Sequence, residues 1–237
     1  VGTLQRSLCP PRLPQIAGFD IAVHYQPSSA QHAGGVFYDL FALATGRSGF
    51  FVGDVCATGP QAAAVASLAR YTMRSAAAVH DEPAAVLLDL DAALRTSAGD
   101  TPQTCTAVYA DIGVRSDGAA ISLTVAGHLV PLIVRAHGAV EATPARGTLL
   151  GAVDDPMFES CEIQLAAGDT IIIYTDGILD ATIDRIEVDE QRVAELVLGA
   201  PHASAHTLVD RLVRAVRRVD RPLRDDVAII ALRRTSN

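Results

Sequence analysis

The chain contains no run of about 18 apolar residues, so no membrane-spanning helix is expected. Its four cysteines, Cys9, Cys56, Cys105 and Cys161, include no CxxC pair. That spacing argues against a zinc site or a disulfide framework and for reduced thiols in a cytoplasmic protein. Positive charge is short: the formal net charge is −8 and the pI about 5.3, which argues against an electrostatic nucleic-acid binder. No signal-peptide pattern opens the sequence, and no internal repeat or low-complexity linker divides it.

What is present suffices for a large core: 237 residues, 49% of them hydrophobic, most economically one domain. The segment 4–13 is amphipathic and then broken by Pro10 and Pro11, like the end of a helix arriving from upstream. Strands are expected at 19–25 and, as a hairpin, at 36–44 and 49–55. Helices follow at 60–79 and 83–97, then strands at 104–112, 119–126 and 130–135. A second hairpin is expected from 158–165 and 170–175, then helices at 188–198 and 205–219 and a buried strand at 226–232. Strand pairs separated by helix pairs fit an α+β sandwich better than an alternating βαβ sheet. The chain begins at Val1 rather than Met, which reads as a piece of something longer.

The chain is organised around Gly53-Asp54-Val55-Cys56-Ala57-Thr58-Gly59, where the apolar run 49–52 meets a helical pattern with proline near its start. Cys56 as a nucleophile would want an arginine in the following loop; Ala-Thr-Gly-Pro-Gln-Ala has none. An aspartate at a strand end suits a hard cation, while Asp and Gly are also ordinary turn residues. Two further aspartates occupy comparable places: Asp176 after IIIYT, and Asp225 before DVAIIAL. Carboxylates converging on one mouth of a sheet raise each other's pKa unless a cation holds them. Oxygen ligands of this kind favour Mg²⁺ or Mn²⁺ over zinc, and two ions bridged by a carboxylate favour in-line attack at phosphorus.

Read in order, the motifs resemble the SpoIIE-type branch of the metal-dependent PPM (protein phosphatase 2C-like) serine/threonine phosphatases. LQRSLCPPRLP resembles the entry segment, GGVFYD (34–39) the GGDFYD motif, and GDVCATG (53–59) the GDVxGxG motif. AGHLVPL (126–132) resembles AGHxPPL, AAGDTIIIYTDGILDA (166–181), preceded by GTLLG (147–151), resembles PGDxLxLYTDGxxEA, and RDDVAIIAL (224–232) resembles the closing RDDVTLLxL strand. The resemblance implies an αββα sandwich of two mainly antiparallel sheets flanked by helices, with metals at one end. It implies Asp54 as bridging ligand with the Val55 carbonyl beside it, and Asp176 and Asp225 as further ligands and catalytic residues. Asp226 is left as a supporting residue or a cap, Gly177 as a tight turn beside a ligand, and His128 as a packed histidine.

The pattern departs at position 36, where the family's ligand aspartate is replaced by Val36. That removes a charge and a ligand from the second ion. Asp39 is no substitute, because three residues along a strand it points to the other face. Smaller departures are Ala57, which would restrict the loop if φ there must be positive, together with Thr58 and Asp180. Three readings follow: a phosphatase with weakened metal affinity, a pseudophosphatase that binds a phosphoprotein without turnover, or an engineered change in a competent enzyme. A scaffold or dimerising domain without metal is the non-catalytic alternative. The implied substrate is phosphoserine or phosphothreonine on a bacterial regulatory protein of the anti-sigma-factor-antagonist type. Residues 1–15 are read as the end of a linker helix from an upstream sensor domain and 16–237 as the phosphatase domain. The two helices after Asp54 are placed to transmit a signal, and a homodimer is left open.

Overall fold

Strands apolar at consecutive positions must be covered on both faces, and two such strands decide the architecture. In Thr170–Tyr174, Ile171 and Ile173 join one buried cluster while Ile172 and Tyr174 join another. Val227–Arg234 divides the same way, Ile230 and Leu232 on one side and Ile229 and Ala231 on the other. One cluster fills the space between two sheets, and the other lies beneath a helix pair.

The computed structural model describes residues 8–10, 13–28, 34–43, 46–98, 102–115, 118–179, 182–183, 186–187, 189–198, 202–217 and 223–236. The strands are β1 (Phe19–Gln26), β2 (Phe37–Ala42), β3 (Ser48–Val55), β4 (Cys105–Arg115), β5 (Gly118–Ala126), β6 (Leu132–Val134), β7 (Val140–Ala142), β8 (Arg146–Gly147), β9 (Phe158–Leu165), β10 (Thr170–Tyr174), β11 (Thr182–Ile183), β12 (Ile186–Glu187) and β13 (Val227–Arg234). The helices are α1 (Gly59–Ala76), α2 (Pro83–Ser97), α3 (Glu190–Leu198) and α4 (Ala205–Arg217). One sheet has the order β1-β13-β10-β6-β7 and the other β2-β3-β4-β5-β9-β8, with β11 and β12 paired separately. The strand pairs within both sheets are antiparallel.

The helices α1 and α2 cover the six-stranded sheet, and α3 and α4 cover the five-stranded one. The fold is thus the expected αββα sandwich. Small buried residues on α1 (Ala62, Ala66, Ala69) let it approach the sheet closely. On α4, Leu208, Leu212 and Val216 repeat at i, i+4 and i+8 and are all buried, each worth roughly 1.5–3 kcal/mol against exposure. No helix among the described residues is long and apolar enough to cross a membrane.

One expectation is corrected. The segments 158–165 and 170–175 do not form a hairpin: β9 pairs with β5, and β10 pairs with β13 and β6 in the other sheet. The intervening turn is tied elsewhere, because Asp169 accepts hydrogen bonds from Ala166 N and Ala136 N and pairs with Arg135 at 3.0 Å. A turn signal marks a reversal and leaves open which neighbour the returning strand takes. The first long helix also stops at Ala76, three residues early, and the closing strand runs on to Arg234. The short strands β7, β8, β11 and β12 carry no sequence signal of their own. Residues 1–7, and with them most of the expected linker helix, lie outside the described residues, as does Asp180.

Candidate metal centre

Each of the three expected ligands leaves the end of a strand. Asp54 is the penultimate residue of β3, opposite Thr106 of β4. Asp176 opens a 3₁₀ turn, Asp176–Ile178, just after β10, and Asp225 stands two residues before β13. A single threonine aligns the latter two. Thr175 Oγ1 donates to Asp226 O at 2.9 Å and accepts from Ala228 N at 2.9 Å, fastening the end of β10 to the start of β13. Gly177 is required by close approach and not by a special φ: a Cβ there would lie 2.4 Å from Asp226 O.

The carboxylates of Asp54, Asp176 and Asp225 offer ligand atoms that all lie within 4.8 Å of one another. Asp54 is 9% exposed, and its Oδ2 has no hydrogen-bond partner among the described residues. Burial raises the Asp54 pKa well above the usual carboxylate value, and the charges of Asp225, Asp176 and Asp226 add to this. A hydrogen bond from the Val55 main chain works in the opposite sense. An unpaired buried carboxylate oxygen is costly without a partner. A hard cation satisfies both the orphan oxygen and the mutual repulsion, so the residues present fit one.

Asp226, 2% exposed, is spent differently. It accepts hydrogen bonds from the Tyr25 hydroxyl at 2.5 Å and from Ser28 N and Oγ at 2.9 Å each. Burial and this bond to Asp226 push the Tyr25 pKa upward. The residue is a brace between β1 and the ligand loop. Gly34 and Gly35 close the far wall. A Cβ on Gly35 would fall 2.7 Å from both Asp54 Oδ1 and the Val55 carbonyl oxygen, so a side chain there would fill the space these two oxygens face.

Val36 is 0% exposed and belongs to the apolar cluster between the sheets. The side chain contributes no ligand atom. Asp39 is equally unavailable, since Arg70 and Arg74 of α1 each reach its Oδ2 at 2.6 Å. Neither residue adds a carboxylate to the cluster of Asp54, Asp176 and Asp225. Cys56 is exposed, whereas Cys9 and Cys105 are buried, the Cys9 thiol donating to Val36 O at 3.1 Å.

Two clefts flank the cluster. One, of about 410 Å³, is lined by Thr106, His128, Thr143, Arg146, Asp176 and Glu190 among others. The other, of about 580 Å³, includes Gly34, Gly35, Val55, Cys56, Arg224 and Asp225. His128 is 8% exposed, and its Nδ1 lies 2.8 Å from Thr106 Oγ1. Burial lowers its pKa to about 4, with a main-chain hydrogen bond at Tyr174 acting against the shift. It is a packed, neutral histidine, as the sequence implies.

A sandwich of two antiparallel sheets between helix pairs, with carboxylates gathered at the strand ends, is the architecture of the PPM phosphatases. The B. subtilis SpoIIE structure containing its PP2C phosphatase domain superposes with a TM-score of 0.76 at 17% identity, over 92% of this chain and 62% of that one. The RsbU and RsbW domains of Rv1364c from Mycobacterium tuberculosis give 0.75 at 26% identity, over 94% and 62%. Residues 44–235 match the family model for stage II sporulation protein E, and the chain belongs to the SpoIIE family. It is 24% identical over 233 residues to the phosphoserine phosphatase RsbU of Bacillus subtilis (strain 168), covering 98% of this chain and 68% of RsbU. Of another curated relative it spans 40%.

The sequence found all three clustered aspartates. It missed the Thr175 fastening and the two glycines that clear the approach to Asp54. Thr175 precedes Asp176 directly, and a hydroxyl between a strand and a ligand is a readable signal once the neighbouring strand is known.

Proposed function

We propose that this domain is a divalent-cation-dependent protein phosphatase that hydrolyses phosphoserine or phosphothreonine on a regulatory protein. The observation that carries the reading is the cluster of Asp54, Asp176 and Asp225 around an orphaned Asp54 oxygen. These carboxylates, with the Val55 carbonyl, would hold Mn²⁺ or Mg²⁺. What the cation supplies is Lewis acidity toward phosphate oxygens and toward attacking water. The protein's own part is to present Asp54 with one unpartnered oxygen, to fasten the strand ends that carry Asp176 and Asp225 through Thr175, and to leave the approach over Gly35 open. A substrate of the anti-sigma-factor-antagonist type is supported by the likeness to RsbU, and by Rv1364c, whose RsbU domain accompanies an RsbW domain. An upstream sensor domain is supported by the greater length of the relatives.

A second reading, a phosphoprotein-binding module without turnover, is favoured by one residue. Val36 occupies the position of a family ligand and is sealed in the apolar core.

The test is Mn²⁺ calorimetry with p-nitrophenyl phosphate turnover on the parent, Asp176→Asn and Val36→Asp. The parent is expected to bind one ion and turn over slowly. Asp176→Asn should lose both, and Val36→Asp should gain a second ion and at least about tenfold in rate. A silent parent with an active Val36→Asp supports the binding module. If both are silent while Mn²⁺ binds, the enzyme reading fails.

A further inference from the structure

The chain contains no lysine, so every fixed side-chain cation available to a phosphate is an arginine. Several arginines are already committed. Arg70 and Arg74 hold Asp39, and Arg135 holds Asp169 and Glu141. Arg234 donates to Gly18 O and Thr235 O. Two line the clefts beside the carboxylate cluster, Arg146 and Arg224.

The surroundings of these two differ. Arg146 is exposed on β8 and forms no ion pair among the described residues, although Glu159 is its register partner in β9. Its cleft also contains Thr143, 4% exposed, whose hydroxyl has no hydrogen-bond partner among the described residues. A buried hydroxyl left unmatched beside a cavity is an unmet hydrogen-bonding capacity. The Thr106 hydroxyl stands in the same wall, held against His128. Glu190 adds negative charge, but it lies in the first turn of α3, where the helix dipole offsets it. The Arg224 cleft instead has the Asp226 carboxylate beside it, buried and permanently occupied by Tyr25 and Ser28. An anion entering there meets that carboxylate as well as Asp225.

We infer that the cleft between Asp176 and Arg146 receives the phosphorylated side chain, with the Arg146 guanidinium binding the non-bridging phosphate oxygens. This rests on the phosphatase reading above and names the substrate side of that same centre. The volume, about 410 Å³, is within the usual range for a small-molecule site of about 300–1,000 Å³. A planar guanidinium presents paired donors to phosphate, which a lysine would not. Arg146 is then a substrate-binding residue, and its loss should appear in KM more than in kcat.

The experiment is titration of inorganic phosphate into the Mg²⁺-saturated protein by calorimetry, for the parent, Arg146→Ala, Arg146→Lys and Arg224→Ala. In parallel, kcat and KM are measured on a phosphoserine peptide. Arg146→Ala is expected to weaken phosphate binding about tenfold or more, as loss of a charge-assisted contact does. Arg146→Lys should recover part of it, and Arg224→Ala should stay within about twofold. The Mg²⁺ affinity of all four should agree, because neither arginine offers the cation an oxygen. With the peptide, KM should rise in Arg146→Ala while kcat stays within about threefold. Phosphate binding that is absent in the parent, unchanged in Arg146→Ala, or lost in Arg224→Ala instead overturns the assignment. Phosphate binding is read without turnover, so the two ideas separate. A parent that binds phosphate through Arg146 but hydrolyses nothing removes the enzyme and keeps the cleft. A parent that turns over with Arg146→Ala unaffected keeps the enzyme and removes the cleft.

Discussion

Arg70 Nη2 donates to Asp39 Oδ2 at 2.6 Å, so the aspartate ending the GGVFYD segment is held by α1 and takes no part in the carboxylate cluster. Arg74 reaches the same oxygen, and Leu40 N donates to Oδ1. Asp39→Ala leaves Arg70, with 14% of its side chain exposed, without its counter-charge. Removing one partner of a buried pair costs on the order of 3 kcal/mol. Urea unfolding should show that loss, while Mg²⁺ affinity remains that of the parent. A large fall in affinity with unchanged stability would mean that Asp39 serves the cation.

Asp54 gives the metal-free protein a pH dependence of definite sign. Its folded pKa is raised, so between the unfolded value near 3.8 and the folded one the native state holds the extra proton. Stability contributed there falls as pH rises through the folded pKa. Asp54→Asn should flatten this slope in the presence of EDTA. Chemical unfolding at a series of pH values measures it, and an equally steep decline in the variant would exclude Asp54 as the source.

His128 contributes the opposite slope. Its pKa falls from 6.5 to about 4, so the unfolded chain binds more protons between those values and stability rises with pH across them. The full difference is about 3 kcal/mol, from 1.36 kcal/mol per unit. His128→Gln should remove that rise. NMR titration of the parent should show no imidazole transition for this residue between pH 5 and 8.

Leu212, fully buried beneath the five-stranded sheet, tests the helix layer far from the chemistry. Leu212→Ala should cost about 2–5 kcal/mol through lost burial and a residual cavity. Turnover per folded molecule should be unchanged. Thermal melts and activity normalised to folded fraction distinguish a packing role from one in the site.

Much of this was legible along the chain. The three aspartates could be read because each borders a strongly apolar strand, and apolar strands are the elements a sequence announces most clearly. The packed state of His128 was legible for a different reason: a histidine beside a turn is more often packed than a ligand. Arg70 and Arg74 stand at i and i+4 on one helical face, yet their common target lies in β2, and nothing local to either segment connects them. The Arg146 cleft is harder still. Thr106, Thr143, Arg146, Asp176 and Glu190 come from separate elements, and β8 is two residues long, too short for any periodicity. The false hairpin at 158–175 fails for the same reason: turn chemistry is local, whereas the choice of sheet depends on which faces remain to be covered.

Thr175 fastens β10 to β13 within one sheet, while Asp54 stands on the other. A cation held by all three aspartates would therefore be a clasp between the two layers. Its affinity would depend on how the sheets are set against each other, because its ligands come from both. By linkage, filling the site would stabilise the folded sandwich. An ion bound there would be a structural joint between the sheets.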